Sequence, residues 1–141
     1  MVHSVSLGLH RFMGGPPPLV ALHGFSQTGA MFGELAGLLD CEVRAPDLPG
    51  HGRSSEVTAA FDGAVMGVVE VLEAIDRPAP LLGYSQGARI AMGVAIERPD
   101  LISRLVLVSA SPGIAADSDR EQRRLADEAL AVRLTSVGLP A

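Results

Sequence analysis

The sequence predicts an α/β fold, a mostly parallel sheet with helices on both faces. Three observations carry this expectation. Short apolar runs alternate with longer segments of helical period, in the order strand–helix–strand–helix–strand–helix–strand. Such alternation builds a parallel sheet through right-handed crossovers. The run Leu19 to Leu22 is apolar throughout, as a strand buried on both faces is. Finally, they end in His23-Gly24, Gly83-Tyr84-Ser85 and Ser109-Ala110, and open α/β sheets bind ligands outside the carboxyl ends of their strands.

Taken in order, Ser4 to Leu9 alternates weakly and reads as an edge strand. Gly14-Gly15-Pro16-Pro17-Pro18 reads as a loop, because proline brings no N–H to a ladder. Leu19 to Leu22 is a short buried strand. Thr28 is placed to cap a helix with Met31, Phe32, Leu35, Leu38 and Leu39 on one side. Cys41 to Ala45 forms the next strand, closed by Pro46-Asp47-Leu48-Pro49-Gly50-His51-Gly52. A helix over Thr58 to Ile75 carries Phe61, Val65, Val68, Val69, Leu72 and Ile75 on one stripe. Leu81 and Leu82 lead as a strand into Gly83, and the helix after Ser85, with Ile90, Ala91, Val94 and Ala95 inward, ends near Arg98-Pro99. Leu105 to Val108 is the last strand. After Ser111-Pro112-Gly113 the chain becomes charged and helical, from Asp119 to about Leu134.

Composition removes several function classes. The chain has 141 residues, 48% of them apolar, enough for one domain with a real core. No apolar run reaches the roughly 18 residues of a membrane span, and Met1 to Phe12 lacks the basic start and apolar centre of a signal peptide. Cys41 is the only cysteine, so no internal disulfide forms; a reducing cytoplasm is the simplest expectation. Cys41 itself reads as a small core residue. The net charge of −5 argues against a nucleic-acid surface, and 4% aromatics are too few for a base-stacking platform. No cluster of residues with metal-ligand spacing is present.

The stretch with the clearest chemistry is Gly83-Tyr84-Ser85-Gln86-Gly87, set between a strand and a helix. That context turns Gly-x-Ser-x-Gly into a nucleophile elbow. Small residues at Gly83 and Gly87 let strand and helix pass close to the serine, which stands exposed on a sharp turn. The N–H of Gln86 then points toward a developing oxyanion.

His23-Gly24-Phe25, Asp47-Leu48-Pro49-Gly50-His51-Gly52-Arg53-Ser54 and Gly83 to Gly87 occur in that order. Together they resemble the α/β-hydrolase superfamily across nearly the whole chain. Within it, Gly-Tyr-Ser-x-Gly-x-Arg at Gly83 to Arg89 is similar to the menaquinone-pathway 2-succinyl-6-hydroxy-2,4-cyclohexadiene-1-carboxylate synthases. Ser111-Pro112-Gly113-Ile114 and the arginine-rich run Arg120 to Glu128 point the same way. The resemblance implies an α/β-hydrolase core over residues 1–114 and the start of a helical cap over 115–141, truncated before the last strands of the sheet.

It also implies roles. Ser85 is the nucleophile or base, and the backbone N–H groups of Phe25 and Gln86 form the oxyanion hole. Arg89 and Arg123 bind a substrate carrying several carboxylates, to which guanidinium forks are suited. For Arg89 the alternative is an ordinary solvated arginine. For Arg123 the competitors are Arg120, Arg124 and a solvated charged face. Tyr84 lines the pocket or packs beside the elbow. His23 and His51 read as loop-fixing histidines, and His3 and His10 as surface residues. The implied reaction eliminates pyruvate from 2-succinyl-5-enolpyruvyl-6-hydroxy-3-cyclohexene-1-carboxylate, with no metal or organic cofactor and no membrane or nucleic-acid partner. A serine hydrolase acting on esters or carbon–carbon bonds, and a non-catalytic split half that binds a partner chain, are the alternatives.

One departure from the pattern bears on activity. The superfamily triad runs serine, acid, histidine along the chain, yet all four histidines here precede Ser85. A serine without its base is a weak nucleophile. The expectations are little activity from the chain alone, and self-association or completion by another chain along an uncovered sheet edge.

Overall fold

The computed structural model describes residues 5–137. His3, Ser4 of the expected first strand, and the last four residues of the expected cap region lie outside the described residues. The chain divides into two compact units, Met1–Ala110 and Ser111–Ala141.

The first unit is built on a five-stranded sheet of order β1-β3-β2-β4-β5. The strands are β1 (Leu9–Phe12), β2 (Gly15–Leu22), β3 (Cys41–Pro46), β4 (Ala79–Tyr84) and β5 (Ile102–Val108). Only β1 is antiparallel, pairing with β3, and the other neighbours are parallel. The helices are α1 (Gly33–Gly37), α2 (Phe61–Glu73) and α3 (Gln86–Glu97). The sheet is therefore the mostly parallel one the alternation predicts.

Strand period explains the two-sided core. Val20 and Leu22 of β2 point into one apolar cluster with Val65, Val68, Leu72, Ile90 and Val94 from α2 and α3. Leu19 and Ala21 point the other way, against Phe32, Ala36, Val43 and Ala45. All four β2 residues are buried on either side, so this strand reads as an unbroken apolar run.

Four expectations are corrected. The proline run is not a loop: β2 begins at Gly15 and includes Pro16, Pro17 and Pro18. It does so through an irregularity, because the register with β3 shifts between Gly15 and Leu19, so the prolines hold no regular ladder position. The edge strand starts at Leu9, not Ser4. The expected helix after Thr28 is a 3-10 turn, Gly29–Phe32, followed by a five-residue α1; Thr28 makes no side-chain cap bond, and Leu38 is 84% exposed. Gly33 and Gly37, the ends of α1, are poor helix formers and keep it short. Phe61 opens α2 at 49% exposure rather than joining its buried stripe.

In the second unit, α4 (Asp117–Val137) is a 21-residue helix with no buried residue. Its charges pair along the helix: Arg123 with Asp127, Arg124 with Glu121 and Glu128, and Arg120 with Asp117.

Candidate active site

Ser85 sits between β4 and α3 in a conformation L residues rarely adopt, φ 52° and ψ −109°. Backbone packing explains why its neighbours are glycines. A Cβ on Gly83 would lie 2.5 Å from the Gly87 carbonyl oxygen, and one on Gly87 would lie 2.3 Å from that of Leu22. The turn is held from β5, whose Val108 carbonyl accepts the Ser85 N–H at 2.9 Å. The strain at Ser85 is thus fixed by pairing on one side and close backbone contact on the other.

The turn after β2 meets this elbow. A Cβ on Gly24 would come within 2.9 Å of the Tyr84 ring, so Tyr84 packs beside the His-Gly turn. The Gln27 side chain accepts the Gly24 N–H at 3.1 Å, and the Gln27 N–H closes the turn on the Gly24 carbonyl at 3.3 Å. Phe25 and Ser26 stand at the exposed tip, Ser26 with φ 63°. The Phe25 N–H carries no hydrogen bond among the described residues. Gln86, first residue of α3, contributes one of the free N–H groups of a helix start.

His23 is fully buried and its tautomer is dictated by its partners. The Leu48 N–H donates to Nε2 at 2.9 Å, so Nδ1 carries the proton and donates to the Gly24 carbonyl at 2.8 Å. Desolvation is the dominant influence and holds its pKa below the ordinary value, against the opposing hydrogen bond to Gly24. With both nitrogens engaged, His23 fixes the turn. His51 Nδ1–H donates to the Pro49 carbonyl, 2.9 Å away, and its ring meets those of His23 and Phe25 edge-on at 5.0 and 6.2 Å.

Sequence alone assigns no role to the aspartate of the motif around Asp47. The structure shows a buried carboxylate that accepts the N–H groups of Gly29 at 2.6 Å and Arg53 at 2.8 Å, and His10 Nε2 at 3.0 Å. Burial raises its pKa, but the N–H donors of Arg53 and Gly29 and the His10 imidazole outweigh that and leave it below the usual carboxylate value. Gly52 belongs here too: its φ is +44°, and a Cβ would lie 2.4 Å from the Asp47 carboxylate. His10 is not the surface residue the sequence suggests; its side chain is 15% exposed and tied to Asp47.

Beside Gln86 an open cleft of about 240 Å³ runs between the start of α2 and the first turns of α3. Ala60, Phe61, Ala64 and Ile90 form its apolar walls, and among the described residues Arg89 is the only charged one lining it. Arg89 is exposed and makes no ion pair among the described residues. Periodicity places Ala64 and Ile90 inward but gives no sign that two helix starts leave a gap between them. Nor does it reveal Ser109, which ends β5 with φ 54° beside the elbow. Among the predicted site residues, Ser85, Gln86, Arg89 and Tyr84 thus gather with the Phe25 turn at one end of the sheet. Arg123 lies on α4 of the second unit, held by Asp127 at 2.8 Å.

Comparison with known proteins adds the following. The family described as alpha/beta hydrolase fold matches residues 17–136. A pimeloyl-[acyl-carrier protein] methyl ester esterase of Vibrio vulnificus is 33% identical over 117 residues, 81% of this chain and 45% of that protein. Lipase LipV of Mycobacterium tuberculosis is 35% identical over 120 residues, 83% of this chain and 45% of that protein. The solved structure of MenH from S. aureus superposes with a TM-score of 0.80 at 30% identity, covering 92% of this chain and 52% of that one. The chain thus spans about half the length of the relatives it matches.

Proposed function

This chain belongs to the α/β-hydrolase fold family, and from that premise we propose that it carries the elbow and oxyanion donors of an enzyme acting on a small carboxylated substrate. The specific reaction proposed is elimination of pyruvate from 2-succinyl-5-enolpyruvyl-6-hydroxy-3-cyclohexene-1-carboxylate. Arg89 is the observation that supports it, a guanidinium without an acidic partner in the cleft beside Gln86. The Ser85 oxygen takes the ring proton as its own proton passes to an imidazole, and the ring C–O bond to the enolpyruvyl group breaks to release pyruvate. The Phe25 and Gln86 N–H groups meet the oxygen on which negative charge grows, each contributing on the order of 3 kcal/mol. Arg89 holds a carboxylate, and Tyr84 lines the pocket.

Ester hydrolysis by the same serine is the second reading, favoured by the names of the esterase and lipase relatives. The imidazole comes from a polypeptide segment other than these 141 residues, since no histidine follows Ser85. The working compartment is the cytoplasm, which suits a single, half-buried cysteine. The test compares Arg89→Ala with the parent, in the protein completed by that segment, on carboxylated and neutral substrates. Loss on the order of tenfold or more confined to the carboxylated substrate supports the lyase reading. Equal rates on both leave neutral-ester hydrolysis.

A further inference from the structure

The structure assigns the Gln86 side chain a task separate from that of its backbone N–H: its amide carbonyl is a specificity-determining acceptor for an uncharged hydroxyl carried by the substrate near the reacting carbon. The assignment rests on Ser85 as the reacting centre and holds for elimination and for ester hydrolysis alike.

Three observations carry it. First, Gln86 Oε1 is shut off from water and has no hydrogen-bond partner, alone among the buried side-chain polar atoms of the described residues. The other buried polar side chains are satisfied. His23 uses both ring nitrogens, Asp47 meets three donors, and Ser54 Oγ accepts the Gly8 N–H at 2.8 Å. A buried acceptor without a donor is costly, and native folds hold few of them. Second, the surrounding walls bring no donor. Gln86 lines the cleft with Pro49, Ala60, Phe61, Ala64 and Ile90, whose side chains carry no N–H or O–H. Arg89, three residues on, has donors but leaves the oxygen unpartnered. Third, Gln86 follows Ser85 directly, as first residue of α3. Its terminal amide torsion is a soft one, so the carbonyl can turn toward the cleft while the helix holds the backbone N–H in place.

The surroundings select among donors. A cationic donor meets the like charge of Arg89. An amide N–H brings its own carbonyl, for which the apolar walls hold no side-chain donor. A hydroxyl brings a proton and little else. A ligand of the same shape without that proton leaves the oxygen unpaired, which is how a buried polar group discriminates.

The test measures binding and stability of the full chain and uses no turnover. The probes are 1-phenylethanol and acetophenone, alike in size, of which only the alcohol donates. The alcohol is expected to bind about tenfold tighter. Gln86→Leu should bring the two probes to equal affinity and raise the urea midpoint, because it removes the unpaired acceptor. Gln86→Met, unbranched like glutamine, should do the same and serves if leucine does not fit. Equal binding of the two probes by the parent, no saturable binding of the alcohol, or a preference that survives both substitutions would overturn the assignment. So would a lower urea midpoint in both variants, since the carbonyl would then already be satisfied within the fold. Each of these results can occur with Ser85-dependent turnover intact, and a failed turnover assay leaves the binding result standing.

Discussion

At the residue scale, the elbow is a place where backbone space and strain are set against each other. Gly87→Ala puts a Cβ 2.3 Å from a backbone oxygen that has nowhere to move, and should cost 2 kcal/mol or more, on the order of an overpacked core site. Gly37 in α1 has nothing within 4 Å of its Cβ position, and Gly37→Ala should stabilise by up to about 1 kcal/mol. Urea unfolding of the two variants checks the contrast. Ser85 stores strain at φ 52°, so Ser85→Gly should gain roughly 1 kcal/mol where Ser85→Ala gains none. His23 adds a pH dependence of definite sign. Its folded pKa lies below the ordinary 6.5, so the unfolded chain takes the proton first. Stability from this group is full above about pH 6.5 and falls as the pH drops from there toward the folded value. The slope of unfolding free energy over that interval should flatten in His23→Gln. The glycines of the elbow were legible in the sequence because their spacing is diagnostic. The strain at Ser26 and Ser109 was not, because a serine with positive φ looks like any other serine.

At the element scale, Asp47 joins segments that are far apart in sequence. It holds β1 through His10, the 3-10 turn through Gly29 and the following loop through Arg53. Asp47→Asn replaces an acceptor facing Arg53 N–H by an amide that satisfies fewer donors, with an expected cost on the order of 2 kcal/mol by urea unfolding. Its depressed pKa makes this contribution present above about pH 3.9 and lost as the pH falls through the lower folded value. Helices α2 and α3 and strand β4 were legible because their apolar periods are long or unbroken, and β3 because Cys41, Val43 and Ala45 alternate with Glu42 and Arg44. The split helix at Gly29–Gly37 and the proline-bearing start of β2 were not: one depends on two glycines outweighing an apolar stripe, the other on a register shift. The fifth strand raises a separate issue. Leu105, Val106, Leu107 and Val108 are 36 to 43% exposed, and an apolar edge of that kind pairs with other strands. Sedimentation should show concentration-dependent association of the chain, reduced in Val106→Lys.

At the scale of the whole molecule, sheet order brings together what the sequence separates. The turn after β2 and the elbow after β4 meet because β2 and β4 are neighbours, with Leu22 opposite Gly83. Order along the chain predicted which ends would carry chemistry; it did not predict the cleft, which exists only once α2 and α3 are packed. The elbow is assembled, and all four histidines lie before Ser85, so the proposed reaction takes its imidazole from elsewhere. The most direct measurement is pyruvate release from the cyclohexene substrate by the purified chain, with rising concentrations of free imidazole, in parent and Ser85→Ala proteins. The account predicts negligible release without imidazole, a rise with imidazole in the parent, and no rise in Ser85→Ala. Rapid release without imidazole, or release that is unchanged by Ser85→Ala, would contradict it.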